Sequence, residues 1–105
     1  MHALLLLIAM FQQTVKSGLQ MNVSCQHSVA LAWQASTSTV VGYNLYRGQT
    51  KGGPYPTRLN TGLVAGLQYK DATVACGQTY YYVSTAVDST GSESKFSNEA
   101  EAVIP

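Results

Sequence analysis

The stretch Gly77-Gln78-Thr79-Tyr80-Tyr81-Tyr82-Val83-Ser84-Thr85-Ala86-Val87-Asp88 decides the fold class of this chain. A glycine-led turn runs into a segment of aromatic and β-branched residues, which fit a pleated, half-buried surface and are weak helix formers. The period-2 rule places Tyr80, Tyr82, Ser84 and Ala86 on one face and Tyr81, Val83, Thr85 and Val87 on the other. A strand of this kind needs partners on both edges and a second sheet beneath it, which the rest of the chain has to supply.

Downstream, Ser89-Thr90-Gly91-Ser92 reads as a hairpin turn, with glycine where φ can be positive, leading to a last strand over Lys95 to Ile104. Upstream, Ser28 to Gln34 alternates, with Val29, Leu31 and Trp33 facing one way and Ala30, Ala32 and Gln34 the other. Ala35-Ser36-Thr37-Ser38-Thr39 is a small, polar loop, and the following strand, Val41 to Arg47, turns Tyr43 and Leu45 inward. Two adjacent glycines and a proline make Gly48-Gln49-Thr50-Lys51-Gly52-Gly53-Pro54 a reversing loop. Tyr55 to Asn60 is then a short edge strand blunted by Pro54 and Pro56, and Leu67 to Asp71 another short strand. With a first strand at Leu19 to Val23, these make an all-β fold, a seven-stranded antiparallel Greek-key sandwich of immunoglobulin-like type.

The chain has 105 residues, enough for one domain. Charged residues are 10% and hydrophobic ones 46%, which argues against disorder. The formal net charge is +1 and the charges are scattered, so no Lys/Arg stripe exists to displace the counterions of a nucleic acid. Ala3 to Phe11 is an unbroken apolar run, far short of the roughly 20 residues of a membrane-spanning helix but of the length of a secretory apolar segment. Residues 1–17 are accordingly expected to be a signal peptide or apolar leader, without a stable membrane span, and 18–105 the domain itself. Only Met1 and His2 precede the run, so the usual positive charge is missing. The location implied is secreted or cell surface.

Trp33, Gly42-Tyr43-Asn44-Leu45-Tyr46-Arg47, and Gly77-Gln78-Thr79-Tyr80 leading into Val83 to Val87 together resemble a fibronectin type III domain. Tyr43 to Gly48 followed by Gly52-Gly53-Pro54-Tyr55, then Tyr80-Tyr81-Tyr82-Val83 and Ala86-Val87-Asp88-Ser89, is similar to the version found in bacterial secreted and cell-surface proteins. The resemblance covers roughly residues 19–105. It implies a structural core of Trp33, Tyr43, Leu45, Tyr80 and Tyr82, with Trp33 as the anchor between the sheets and the Tyr80 hydroxyl bonded to backbone in the preceding turn. Ser84 departs from the aliphatic residue usual in the family, implying a hydroxyl bonded to backbone or a slightly loosened core. The fold itself specifies no activity.

Catalytic chemistry has little to draw on. His27 is a solvated turn residue in this reading, and a triad with Asp71 is only formally available. Asp71, Asp88, Glu93, Glu99 and Glu101 fall in or beside turns and on the last strand, where a glycosidase pair would lack a cleft. Asp88 to Glu93 faintly resembles a calcium loop, but a hairpin turn accounts for all its residues. No enzyme, metal or cofactor is therefore expected. In the sandwich Cys25 and Cys76 lie in turns at the same pole, which permits a disulfide; two free thiols are the alternative. Tyr46, Tyr55, Tyr69 and Tyr81 are candidate surface contacts for a sugar ring or a protein partner, against an alternative in which outward aromatic pairs merely stabilise the sheet. The expected function is a non-catalytic extracellular binding or spacer module acting through protein surface contacts. The alternative is a carbohydrate-contacting accessory domain of a polysaccharide-degrading system.

Overall fold

The computed structural model describes the backbone of residues 7–13 and the whole of residues 27–105. Strands β1 (Leu7–Gln13), β2 (His27–Trp33) and β5 (Gln68–Asp71) form one sheet, in the order β1-β2-β5. Strands β4 (Thr57–Arg58), β3 (Gly42–Gly48), β6 (Thr79–Val87) and β7 (Ala100–Val103) form the other, in the order β4-β3-β6-β7. Every pairing is antiparallel. No helix occurs among the described residues, and none is long and apolar enough to cross a membrane. The strand expected at Leu19 to Val23 lies outside the described residues. Leu7–Gln13, within the stretch read as leader, pairs residue for residue with β2, from Leu7 opposite Trp33 to Gln13 opposite His27.

Between the sheets lie Val29, Leu31 and Trp33 from β2, Tyr43 and Leu45 from β3, Tyr80, Tyr82 and Ala86 from β6, Ala100 and Ala102 from β7, and Ile104. These are the alternating inward positions of their strands, as period 2 requires. Trp33 meets Tyr43 edge to face, with centroids 5.6 Å apart and planes at 61°. The Tyr80 hydroxyl accepts from the Ala75 N–H at 2.9 Å, tying the turn before β6 to the core. Ser84 is fully buried and its hydroxyl has no hydrogen-bond partner, so the backbone bond implied as one outcome is not made.

Both faces of β6 are largely buried, since Val83, Thr85 and Val87 on the outer face are covered as well. The last strand, expected over Lys95 to Ile104, is shorter and runs Ala100–Val103. Over residues 94–97 the edge of β6 is served by serine: Ala86 N–H donates to Ser94 Oγ and Ser84 N–H to Ser97 Oγ, both at 2.9 Å, while Ser94 N–H and Ser97 N–H return to the carbonyls of Ala86 and Ser84 at 2.8 Å. Short hydroxyl side chains compete with backbone carbonyls as acceptors. Here that spaces the chain three residues for every two of β6, and regular pairing resumes only at Ala100.

Candidate functional site

The outer face of the four-stranded sheet carries a group of half-buried and exposed aromatic and acidic side chains. Register puts Tyr46 of β3 opposite Val83 and Tyr81 of β6 opposite Glu101 of β7, all pointing away from the core. The serine-bonded segment lays Phe96 over this face. Its ring meets Tyr46 with centroids 5.7 Å apart and planes at 63°, and Tyr55 with centroids 5.4 Å apart and planes at 80°. Tyr55 arrives from the Gly52-Gly53-Pro54 loop, where Gly52 and Gly53 hold φ of 83° and 98°, a region that favours glycine. Gly48 lets the same loop close down on β3, since a Cβ there would stand 2.2 Å from the Pro54 carbonyl oxygen.

Two carboxylates fix this cluster. Glu93 Oε2 accepts from the Tyr46 hydroxyl at 2.7 Å and from Thr85 Oγ1 at 2.6 Å. The Thr85 bond, helped by Tyr46, holds the Glu93 carboxyl below its ordinary value against the opposing effect of burial. Glu99 Oε2 accepts from the Tyr55 hydroxyl and from the Gly52 N–H. Burial and the Glu99 carboxylate push the Tyr55 phenol up to about 12. Tyr46 is raised by burial and by Glu93, and Tyr81 by its bond to Glu101. The Tyr46 and Tyr55 protons are thus committed to carboxylates, and the face offers aromatic surface and negative acceptors, with Arg58 of β4, opposite Tyr46, as a cation beside Glu93.

A second polar group lies between the sheets. Asp71 at the end of β5 is 1% exposed, and its Oδ2 accepts from Arg47 Nη1 at 2.9 Å and from the Tyr82 hydroxyl at 2.7 Å. Its Oδ1 accepts from Thr73 Oγ1 at 2.6 Å and Thr73 N–H at 3.0 Å. Burial alone would raise this carboxyl. The Thr73, Tyr82 and Arg47 bonds outweigh it and hold Asp71 below its ordinary value. The Arg47 guanidinium lies 4.7 Å above the centre of the Tyr80 ring, beside a shallow cavity of about 390 Å³ bordered by Thr50, Pro54 and Thr57. Asp71, expected in or beside a turn, does end β5, but it is buried there at the centre of a polar group.

The candidate contacts of the sequence divide accordingly. Tyr46 and Tyr55 belong to one cluster, and Tyr81 shares their face. Tyr69 does not: it sits opposite Leu31 in the other sheet, packs against the core and donates its hydroxyl to the Leu59 carbonyl at 2.9 Å. Phe96, and its grouping with Glu93 and Glu99, escape the sequence reading because a regular last strand gives them no common neighbour. The repeat Ser94-x-x-Ser97 was the available signal. Asp88 accepts from Thr90 N–H and Ser92 N–H at 2.9 and 3.0 Å, which makes it the organiser of its turn. No group of three or more metal-ligating side chains occurs among the described residues. Cys76 is disulfide-bonded; Cys25, the only other cysteine in the sequence, lies outside the described residues.

Two antiparallel sheets in this strand order, closed over a tryptophan and pinned by a tyrosine at the turn before the central strand, define a β-sandwich of the fibronectin type III class. A solved fibronectin type III-like protein from Clostridium thermocellum superposes with a TM-score of 0.66 at 37% identity, covering 74% of this chain and 77% of that one. The chain belongs to the fibronectin type III family, in its bacterial form. No protein-family model matches it. An amylopullulanase of Thermoanaerobacter thermohydrosulfuricus is 41% identical over 80 residues, 76% of this chain, and an alpha-amylase of Niallia circulans 32% identical over 93 residues, 87% of it. The chain spans about 5% of the length of that amylopullulanase and 6% of that amylase. Pectate lyase PelI from Erwinia chrysanthemi shares the fold at a TM-score of 0.64 and 23% identity, over 91% of this chain and 28% of its own.

Proposed function

We propose that this domain is a non-catalytic accessory module of a polysaccharide-degrading system, exported to the cell surface or medium, where it works by surface contact and by spacing other domains. The observation that carries this reading is scale. A domain-sized segment recurs as about 5% of much longer proteins whose names are those of starch- and pullulan-cleaving enzymes. The carboxylates support it, since Asp71, Glu93 and Glu99 all hold structural partners. The strand order fits a Greek-key connection of the seven strands.

The purified chain, incubated with soluble starch, pullulan and polygalacturonate, should release no reducing ends and no unsaturated products. Release that follows the protein through purification and vanishes on its removal refutes the non-catalytic reading. Export includes removal of residues 1–17 as a leader, and would take with it the strand that borders β2. A mature chain would then fill that edge with other residues, for which the alternating stretch Leu19 to Val23 is suited. N-terminal sequencing of the secreted product tests this: a start at Met1 or nearby removes the leader from the proposal.

A second reading, direct contact with carbohydrate, is favoured by the Tyr46, Phe96 and Tyr55 cluster.

A further inference from the structure

We infer that the outer face of the four-stranded sheet binds an uncharged hexose chain, with Phe96 as the stacking ring and Glu93 and Glu99 as the hydrogen-bond acceptors. The inference rests on the accessory-module reading and gives it a site and a ligand class. Its first support is the state of Phe96, which is 54% exposed although a phenyl ring gains by burial. T-shaped contacts with Tyr46 and Tyr55 restrain the ring, while about half of the residue's surface stays open. A ring held in this way loses little freedom when a flat, weakly polar partner settles on it. The C–H face of a pyranose is such a partner.

The second support is the polarity around the ring. The Tyr46 and Tyr55 phenols already donate to Glu93 Oε2 and Glu99 Oε2, so these tyrosines bring no free hydrogen to a ligand. Each carboxylate has acceptor capacity beyond the bonds at its Oε2 atom, because an ionised carboxyl accepts about four hydrogen bonds over two oxygens. The lowered Glu93 carboxyl keeps its charge at neutral pH. A ligand suited to this face therefore carries hydroxyl donors arranged around an apolar face.

Charge selects among polysaccharides. Glu93, Glu99 and Glu101 stand on or beside the same face, Glu101 opposite Tyr81, and Arg58, opposite Tyr46, is the cation beside Glu93. A polyuronate would bring one carboxylate per sugar against three carboxylates offset only in part by the Arg58 guanidinium, an arrangement that costs free energy at the separations of direct contact. An uncharged glucan meets no such repulsion.

The test is a titration of the isotopically labelled chain followed by amide chemical shifts, with maltotetraose and tetragalacturonate as probes. Maltotetraose should shift the amides of residues 46, 52–55 and 93–99, and tetragalacturonate should leave them in place. Phe96→Ala, with its amide dispersion intact, should weaken maltotetraose binding roughly tenfold, the scale of one lost aromatic contact. Leu67→Ala, an exposed apolar position just before β5, should not change it. Equal shifts from tetragalacturonate overturn the selection for uncharged chains. Maltotetraose shifts on another face, or none at all from a folded chain, overturn the site while the reducing-end assay still judges the accessory reading separately. Shifts on this face that follow protein concentration instead of added sugar would assign it to a second copy of the chain, and likewise overturn the inference.

Discussion

Replacing Asp71 by asparagine should cost this domain about 3 kcal/mol, at the lower end of the range for breaking a buried ion pair by removing one partner. The geometry sets the size. Asparagine can keep its carbonyl oxygen toward Thr73, whose hydroxyl and N–H both point at Oδ1. Its amide nitrogen then replaces Oδ2, facing the Arg47 guanidinium at 2.9 Å and the Tyr82 hydroxyl at 2.7 Å. The Tyr82 hydroxyl can turn to accept from the amide, but Arg47 only donates, so its guanidinium faces another donor and loses its counter-charge. A domain of this size has a stability of roughly 5–15 kcal/mol, so the variant still folds but melts roughly 12–24 °C lower. Urea unfolding followed by the fluorescence of Trp33, the only tryptophan, measures the loss as a shift in midpoint at constant slope.

The same substitution carries a pH signature. The Asp71 carboxyl is held below its ordinary value of 3.8 in the folded state, so its contribution is complete above the unfolded value and drains away as pH falls through the folded one. Asparagine does not titrate. The gap between the two proteins should be level from about pH 5 to 8 and narrow below about pH 4. Tyr82→Phe should cost about 1.5–3 kcal/mol, the range for a hydrogen bond to a charged group, and should add less than its full cost to Asp71→Asn because the two share one bond. A loss under about 1 kcal/mol for Asp71→Asn, or a gap that does not change between pH 3 and 7, would refute an ionised Asp71 as the centre of this group.

Ser84→Ala removes a buried hydroxyl that has no partner and should raise stability by about 1 kcal/mol; a loss of that size in the same urea assay would mean the hydroxyl is satisfied. Gly48→Ala places a Cβ 2.2 Å from the Pro54 carbonyl oxygen and should cost about 1–3 kcal/mol by forcing the backbone apart, with the Tyr55 and Phe96 resonances shifting together. Glu99→Gln should bring the Tyr55 phenol down from about 12 toward the ordinary 10, read as tyrosinate absorbance on alkaline titration, because it removes the negative charge that opposes ionisation. Peptide mapping without reductant should join Cys76 to Cys25, and Cys76→Ser should cost roughly 3–4 kcal/mol by the loop-entropy relation. Two free thiols in the folded protein would refute that pairing.

What was legible in the sequence is what period 2 determines. Val29, Leu31 and Trp33, Tyr43 and Leu45, and Tyr80 and Tyr82 all lie in the core because alternation alone decides which face of a strand they occupy. Inter-strand polar partners are not encoded that way. Arg47 and Asp71 lie 24 positions apart, and only the docking of one sheet on the other brings them together. The burial of Val83 and Thr85 on the outer face was hidden for a related reason: it depends on what the chain after β6 does once regular pairing stops.

That chain does two things with one device. By accepting β6 amides on Ser94 and Ser97 hydroxyls, residues 94–97 occupy the edge of the central strand without forming a regular strand beside it, a way of blunting a sheet edge against pairing with another chain. The three-for-two spacing that results is also what frees Phe96 from a fixed inward or outward position and carries it onto Tyr46 and Tyr55. In a regular strand running to Ala100, the buried inward position there would put Phe96 inward too and leave Lys95, Ser97 and Glu99 on the outer face. The aromatic platform and the protected edge therefore follow from the same serine spacing, and losing that spacing would be expected to remove both.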